Sequence, residues 1–292
     1  LLADKNVEAV SIVIPNKFHA ETAIQALEAG KPVMLDKPFA MNTAEAEKVL
    51  ETARRTGQLF MMGMNQRFNA DVQSVKPLID RGELGEVYHA KAHWLRRSGI
   101  PARSSWFGNK ELSGGGPMID IGVHRLDLCL YLMDNFEPST VSASIYSKLG
   151  SRMMAMKQEQ SGVAPQHEFD VEDFATAMIR MKNGATVQLE ASWVLHIDEP
   201  ARKNIQLFGT DGGLNLTPPR FYRFGRDDGE YIHTEVAAPS ELPFPHCSRY
   251  QHYADVLQRK TRQLVTWDQS LAVQRVLDAV YESARQEREV VL

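Results

Sequence analysis

Three residues in this sequence have side chains suited to moving a proton at a carbinol carbon: Lys37, Asp120 and His124. Lys37 lies in Asp36-Lys37-Pro38, directly after the predicted strand Val33-Met34-Leu35. Open parallel sheets place their ligands at such carboxyl ends. An ammonium there can hold a substrate hydroxyl and stabilise the charge of an emerging alkoxide, and Pro38 fixes the turn behind it. Asp120 and His124 are spaced i, i+4 on a predicted helix, so a carboxylate and an imidazole share one face. Histidine titrates near neutral pH, which suits a base that removes a hydroxyl proton as hydride leaves the same carbon. Asp120 could orient that imidazole or hold a neighbouring hydroxyl. Gly114-Gly115-Gly116-Pro117 lets the helix begin close to another backbone or a ligand. Taken singly, each feature has an ordinary alternative: an acidic-basic-proline surface turn, or an Asp-His pair on an exposed helix.

The elements that must position these residues follow from hydrophobic periodicity. Residues 9 to 64 alternate short apolar runs with segments of helical period, the pattern of a parallel α/β fold. Strands are predicted over residues 9–14, 33–35 and 59–64, with a helix from His19 to Ala29 and another from the Asn42/Glu45 capping signal to about Arg55. This is one βαβαβ half of a dinucleotide fold. The Gly-x-Gly-x-x-Gly turn that cradles a pyrophosphate is absent: Gly114-Gly115-Gly116 has the wrong spacing, and Asp211-Gly212-Gly213 reads as a hairpin turn. The first βαβ half of the partial Rossmann domain is therefore expected to be missing, with the chain an N-terminally truncated piece lacking about 60–70 residues, scaled from typical βαβ lengths.

After Asn65 the pattern changes. A helix is expected from Ala70 to Asp80, another from Pro117 to about Met133, and two closing helices over 248–260 and 270–285. Strands are expected over 87–95, 140–148, 174–181, 185–194, 204–208 and 221–224, a run implying a mostly antiparallel open sheet. Residues 150–169 read as a mobile loop. The division is thus an α/β domain over 1–66 and an α+β substrate and oligomerisation domain over 67–292.

Composition bounds the function. Hydrophobic residues make up 43% of 292, enough for a sizeable core, and no apolar run spans a membrane. A net charge of -4 argues against a nucleic-acid partner. Cys129 and Cys247 have no metal or redox spacing, and such sparse usage suits a reducing, cytoplasmic setting, although the start at Leu1 hides any targeting segment. His89 and His93 imitate a metal pair, but no third ligand joins them in a recognisable spacing, so no metal is expected.

The motifs occur in one order: Ile14-Pro15-Asn16-x-x-His19, Asp36-Lys37-Pro38, Gly63-x-Asn65-x-Arg67-Phe68, Gly82-x-x-Gly85, Trp106, and the run from Gly114 through Asp120 and His124 to Asp127. Val171-Glu172-Asp173-Phe174 and Phe208-Gly209-Thr210-Asp211-Gly212 extend it. That order resembles the glucose-fructose oxidoreductase, inositol dehydrogenase and MocA family, written Gfo/Idh/MocA, over nearly the whole chain. The resemblance implies hydride exchange between NAD or NADP and a sugar, polyol or related hydroxy compound. It makes Lys37 and His124 the catalytic pair with Asp120 assisting. It places Pro15, Asn16 and His19 by the nicotinamide ribose, and Asp36, Pro38 and Asn65 near cofactor or substrate. It also implies a homodimer or homotetramer through the open sheet. Two departures stand out: Asp36 where the family usually has Glu, and Phe107 where some relatives carry Arg. Substrate-facing candidates are Arg97, Trp106 and His196. The competing readings are a catalytically silent sugar-binding or assembly protein of the same fold, and a metal-dependent hydrolase using Asp120, His124 and His196.

Overall fold

The computed structural model describes residues 1–101, 106–161, 168–225, 229–237 and 248–292. Strands β1 (Val10–Ile12), β2 (Val33–Leu35) and β3 (Phe60–Met62) pair in parallel in that spatial order. Their register aligns Ile12, Leu35 and Met62, so the three carboxyl ends form one row. The crossovers are α1 (His19–Glu28) and α2 (Thr43–Thr56), which pack on each other. The expected cap starts α2: Asn42 Oδ1 accepts the Glu45 backbone N–H at 3.0 Å. All of this matches the half Rossmann unit read from periodicity.

The chain continues through α3 (Ala70–Asp80), β4 (Val87–Arg96), the short α4 (Lys110–Ser113), α5 (Val123–Met133), β5 (Pro138–Tyr146), α6 (Gly150–Ser161), β6 (Phe174–Met181) and β7 (Thr186–Ser192). Then follow β8 (Ala201–Gly209), β9 (Gly213–Asn215), β10 (Arg220–Phe224), β11 (Tyr231–Glu235), α7 (Arg249–Leu257), α8 (Trp267–Gln286) and β12 (Val290–Val291). These strands form one nine-stranded sheet in the order β11-β10-β9-β8-β4-β7-β6-β5-β12. Every pair in it is antiparallel except β4 with β7. Strand alternation sorts its faces: Ala90, Ala92, Val187, Leu189, Ala191, Ile205 and Leu207 are buried on the helix side, whereas Lys91 and Met178 are exposed on the other. The large sheet therefore has one open face, as the sequence implied.

Three readings need correction. The segment expected to be a mobile loop over 150–169 carries helix α6 over 150–161, with residues 162–167 outside the described set. Its start is capped from a distance, Asp173 Oδ2 accepting the N–H groups of Leu149 and Gly150, each at 2.7 Å. A remote cap leaves no local signal. The helix expected from Pro117 begins instead as a π-helical turn, Met118–Gly122, in which Val123 N–H donates to Met118 O. Finally β9, β11 and β12 were not anticipated, because strands of two to five residues carry too little alternation. Cys129 is buried in α5, and burial pushes its thiol up to about 12, which makes it inert; Cys247 lies outside the described residues.

The two sheets are tied together by the end of the chain. Trp267 Nε1 donates to Phe60 O at 2.8 Å, and Asp278 Oδ2 accepts Thr43 N–H at 2.6 Å, so α8 grips both β3 and the start of α2. Helix α7 covers the far face of the small sheet, where Tyr253 and Leu257 pack on Met34 and Met61. Between them, Arg67 after β3 forms a bidentate pair with Asp127 of α5, at 3.0 and 2.6 Å, with essentially no exposure of either side chain. Tyr131 and Phe136 flank the guanidinium. Removing one partner of a buried pair leaves an uncompensated charge. Asp127→Ala is therefore expected to lower unfolding free energy by about 3–5 kcal/mol in urea titration.

Candidate active site

Lys37 follows β2 at the centre of the small sheet's carboxyl edge. Its Nζ donates to Asp120 O at 2.7 Å and to Asp120 Oδ1 at 2.9 Å, both side chains retaining 14% exposure. The other Asp120 oxygen, Oδ2, accepts Trp193 Nε1–H at 3.0 Å. Asp120 thus holds Lys37 and is itself held from β7's end. It makes no hydrogen bond to His124 among the described residues, so the expectation that Asp120 orients the imidazole gives way to one in which it orients the ammonium. With an ammonium and an indole N–H on its oxygens, Asp120 is poorly suited to ligating a metal.

The loop behind Lys37 is fixed by His19, the first residue of α1. Its Nδ1 lies 2.8 Å from Pro38 O and its Nε2 2.9 Å from Ile14 O, and the ring is 1% exposed. Burial pushes its pKa down. Each ring nitrogen faces a backbone carbonyl and the protonated one donates to it, so the buried His19 lies between the ends of β1 and β2, against the cis Lys37-Pro38 turn. Asn16 ties the same edge to the end of α4, its Nδ2 donating to Ser113 O at 2.7 Å, just before the glycines that lead into the helix of Asp120 and His124. Pro15, half-buried, opens the short 3-10 turn that carries Asn16.

The start of that helix is built around a buried carboxylate. Glu172 accepts Gly116 N–H at 2.8 Å, Met118 N–H at 3.2 Å and the Tyr281 hydroxyl at 2.8 Å. Burial raises its pKa, and Tyr281's is pushed well above the usual phenol range by burial and by Glu172. A Cβ on Gly116 would come within 2.1 Å of Glu172 O, and one on Gly115 within 2.1 Å of the Tyr281 hydroxyl oxygen. The glycines are thus required by close approach of protein, not of ligand. The π-turn they launch carries Asp120, and His124 follows one residue into α5.

His124 is partly exposed, with its ring 6.3 Å from that of Trp94. Its pKa is well below the usual histidine value, first because of burial and then because Lys37, Arg125, Lys203 and Arg249 all disfavour a second positive charge. A neutral imidazole is the form that accepts a proton.

Other predicted residues fall in different places. Asp36, the shorter acid, pairs with Arg249 of α7: Nη1 to Oδ1 at 2.6 Å and Nη2 to Oδ2 at 3.4 Å. The same Arg249 donates to Gly63 O at 2.7 Å, and a Cβ on Gly63 would sit 3.1 Å from its Nη1. Asn65 is exposed at the end of β3. Arg97 is exposed and donates to Asp198 O at 3.0 Å, while its neighbour Arg96 points to the helix side, near Asp120. Trp106 stacks on Phe107 with centroids 4.1 Å apart, and His196 is exposed on the turn after β7. Sequence reasoning missed Arg249, Trp193, Tyr281 and Glu172's role; the first three have no local motif, being distant in sequence from what they touch.

At the ends of β1 to β3 the polar groups are the Lys37 ammonium, the exposed Asn65 amide and the Asp36 carboxylate, the last already paired with Arg249. Such donors and acceptors suit the carboxamide and ribose hydroxyls of a nicotinamide nucleotide, so the residues present fit that end of the cofactor.

A half Rossmann sheet whose lysine meets an Asp-His helix on an open antiparallel sheet defines an oxidoreductase architecture. Residues 1–64 match the family described as "Oxidoreductase family, NAD-binding Rossmann fold", and residues 72–215 match the "GFO/IDH/MocA C-terminal domain". D-glucoside 3-dehydrogenase of Escherichia coli K12 is 33% identical over 282 residues, 95% of this chain and 77% of that protein. Levoglucosan dehydrogenase of Pseudarthrobacter phenanthrenivorans is 29% identical over 225 residues, 73% of this chain and 56% of that one. A levoglucosan dehydrogenase structure in complex with NADH and levoglucosan has the same fold, with a TM-score of 0.82 at 22% identity over 99% of this chain and 81% of that one. This chain belongs to the Gfo/Idh/MocA oxidoreductase family.

Glu172→Ala leaves two backbone N–H groups and a phenol without their acceptor. It is expected to cost about 2–4 kcal/mol in thermal or denaturant unfolding, because buried unsatisfied groups carry the full desolvation penalty.

Proposed function

We propose that the chain oxidises a carbinol of a sugar or polyol, or reduces the matching carbonyl, with residues 1–66 supplying the nicotinamide side and residues 67–292 the substrate side. What carries this reading is the Lys37 ammonium, fixed by Asp120 O and Oδ1 beside a neutral His124. The identities to dehydrogenases acting on glucosides and levoglucosan support the substrate class.

Lys37 Nζ donates to the substrate oxygen and stabilises it as its proton departs. A ring nitrogen of His124 accepts that proton, and its low proton affinity keeps it available as a base. Asp120 positions Lys37. A bound nicotinamide ring supplies the hydride acceptor or donor. Asp36, Pro38, Asn65, Pro15 and Asn16 frame its site, with His19 and Arg249 bracing that frame from behind. Arg97, Trp106 and His196 are more distant candidates that shape the substrate end. The open sheet face, with Met178 exposed on it, serves as the surface through which copies assemble.

Reduced-nicotinamide absorbance with D-glucosides and levoglucosan tests the reading. Lys37→Ala and His124→Ala should each lower kcat by about 100- to 10,000-fold; unchanged turnover in both would sink it. The acid limb of kcat/KM for oxidation should lie below pH 6.5, since neutral His124 is the working form and its pKa is displaced downward from 6.5. A limb at or above that pH would remove His124 as the base.

A further inference from the structure

Beside the reacting groups lies a cluster of cations that the proton chemistry does not use. Three of them converge on the Trp94 indole, whose ring is 6.3 Å from that of His124. Lys203 Nζ is 4.3 Å from the indole centroid, Arg96 Cζ 4.7 Å and Arg125 Cζ 5.7 Å. The fold dictates this convergence. Lys203 is the direct antiparallel partner of Trp94, Arg96 is two residues further along β4 on the same face, and Arg125 follows His124 in α5.

Among the described residues Arg96, Arg125 and Lys203 form no salt bridge. Among the described residues Arg96 makes one side-chain hydrogen bond, to Gly99 O at 3.2 Å. Arg125 is 1% exposed, and its Nε is buried with no hydrogen-bond partner. Three carboxylates lie near enough to be felt: Asp120 by Arg96, Asp127 by Arg125 and Asp71 by Lys203. Asp120 is already committed to Lys37 and Trp193, and Asp127 to Arg67. The strain is visible in Lys203, whose pKa falls to about 8 through burial and through Arg125 and Arg96. The indole face compensates in part by cation-π attraction. It cannot satisfy a guanidinium's N–H donors.

We infer that the partly exposed Arg96 and Lys203 form an anion subsite, with the buried Arg125 adding its field from behind, and that the substrate of the proposed reaction carries a phosphate ester or a carboxylate held there while its carbinol lies against Lys37 and His124. This rests on the oxidoreductase reading above. The forked N–H donors of a guanidinium match the bidentate acceptor geometry of both anions.

The test is calorimetric titration of the protein, with saturating NAD, against glucose, glucose 6-phosphate, glucuronate and inorganic phosphate. An anionic sugar should bind at least roughly tenfold tighter than glucose, as charge-assisted hydrogen bonds imply. The preference should shrink with added salt. Tighter binding of glucose 6-phosphate identifies a phosphate ester, with inorganic phosphate competing; tighter binding of glucuronate identifies a carboxylate. Lys203→Met and Arg96→Gln should erase the preference, and Lys203→Arg should keep it. Equal binding of glucose and both anionic sugars, or no binding of either anionic sugar, overturns the subsite; this comparison uses unmutated protein, so misfolded variants cannot obscure it. Turnover of neutral sugars alongside that result would leave the oxidoreductase reading intact. Tight anionic-sugar binding with no turnover of any sugar would support the subsite and sink that reading alone.

Discussion

The contact between Lys37 and Asp120 is the constraint to which the rest of the structure is subordinate. One partner follows a strand of the small parallel sheet and the other opens a helix on the large sheet, 83 positions apart in the sequence. An ammonium that donates to both the carbonyl and the carboxylate of one residue has its position set by two bonds, not one. Because Trp193 takes the remaining oxygen, Asp120 cannot rotate towards His124 without leaving an indole N–H unpaired. The lysine is therefore held in place and, among the described residues, the histidine makes no hydrogen bond to Asp120, an arrangement that suits the proposed division between a fixed donor and a neutral acceptor.

Holding that contact requires the helix to begin at a definite place, and here local rules yield to tertiary ones. Two adjacent glycines and a π-turn are unfavourable ways to start a helix. They persist because Glu172 occupies the space a side chain would need and accepts the N–H groups that a cap residue would otherwise take. The carboxylate lies at the positive end of the helix, which offsets part of the cost of its burial. Tyr281 completes its shell from α8, the helix that also grips β3 and α2. Thus α8 contributes both to packing of the two sheets and to placement of Asp120 and His124.

The alternation of apolar runs made the half Rossmann unit and most strands of the large sheet legible in the sequence, since their burial repeats with the strand and helix periods. Lys37, Asp120 and His124 were legible through their spacing and motif order. What was hidden shares a cause: it depends on partners far away in the chain. Arg249 meets Asp36 across 213 residues and Asp173 caps α6 from 23 residues downstream. Nor does i, i+4 spacing reveal that a π-turn intervenes, or that Asp120 faces a lysine more closely than the histidine beside it.

Asp36 shows how such distant partners adjust the site's charge. Lys37 is flanked by two carboxylates, its chain neighbour Asp36 and its spatial partner Asp120. Were both free to pair with it, the ammonium would be drawn between them and its positive field at the substrate oxygen would be spent. Arg249 binds Asp36 with two nitrogens and anchors itself on Gly63 O, so that carboxylate is both neutralised and turned away. From Lys37 itself Asp36 then accepts the backbone N–H, at 2.9 Å, which stiffens the turn. An aspartate suits this arrangement because its short side chain lets one carboxylate reach both its own turn and an incoming guanidinium. The field of Arg249 also adds to that of Lys37 in disfavouring a charged His124. Pairing 213 residues apart in sequence thereby places a guanidinium where it helps keep the histidine neutral, the form in which the proposed chemistry needs it.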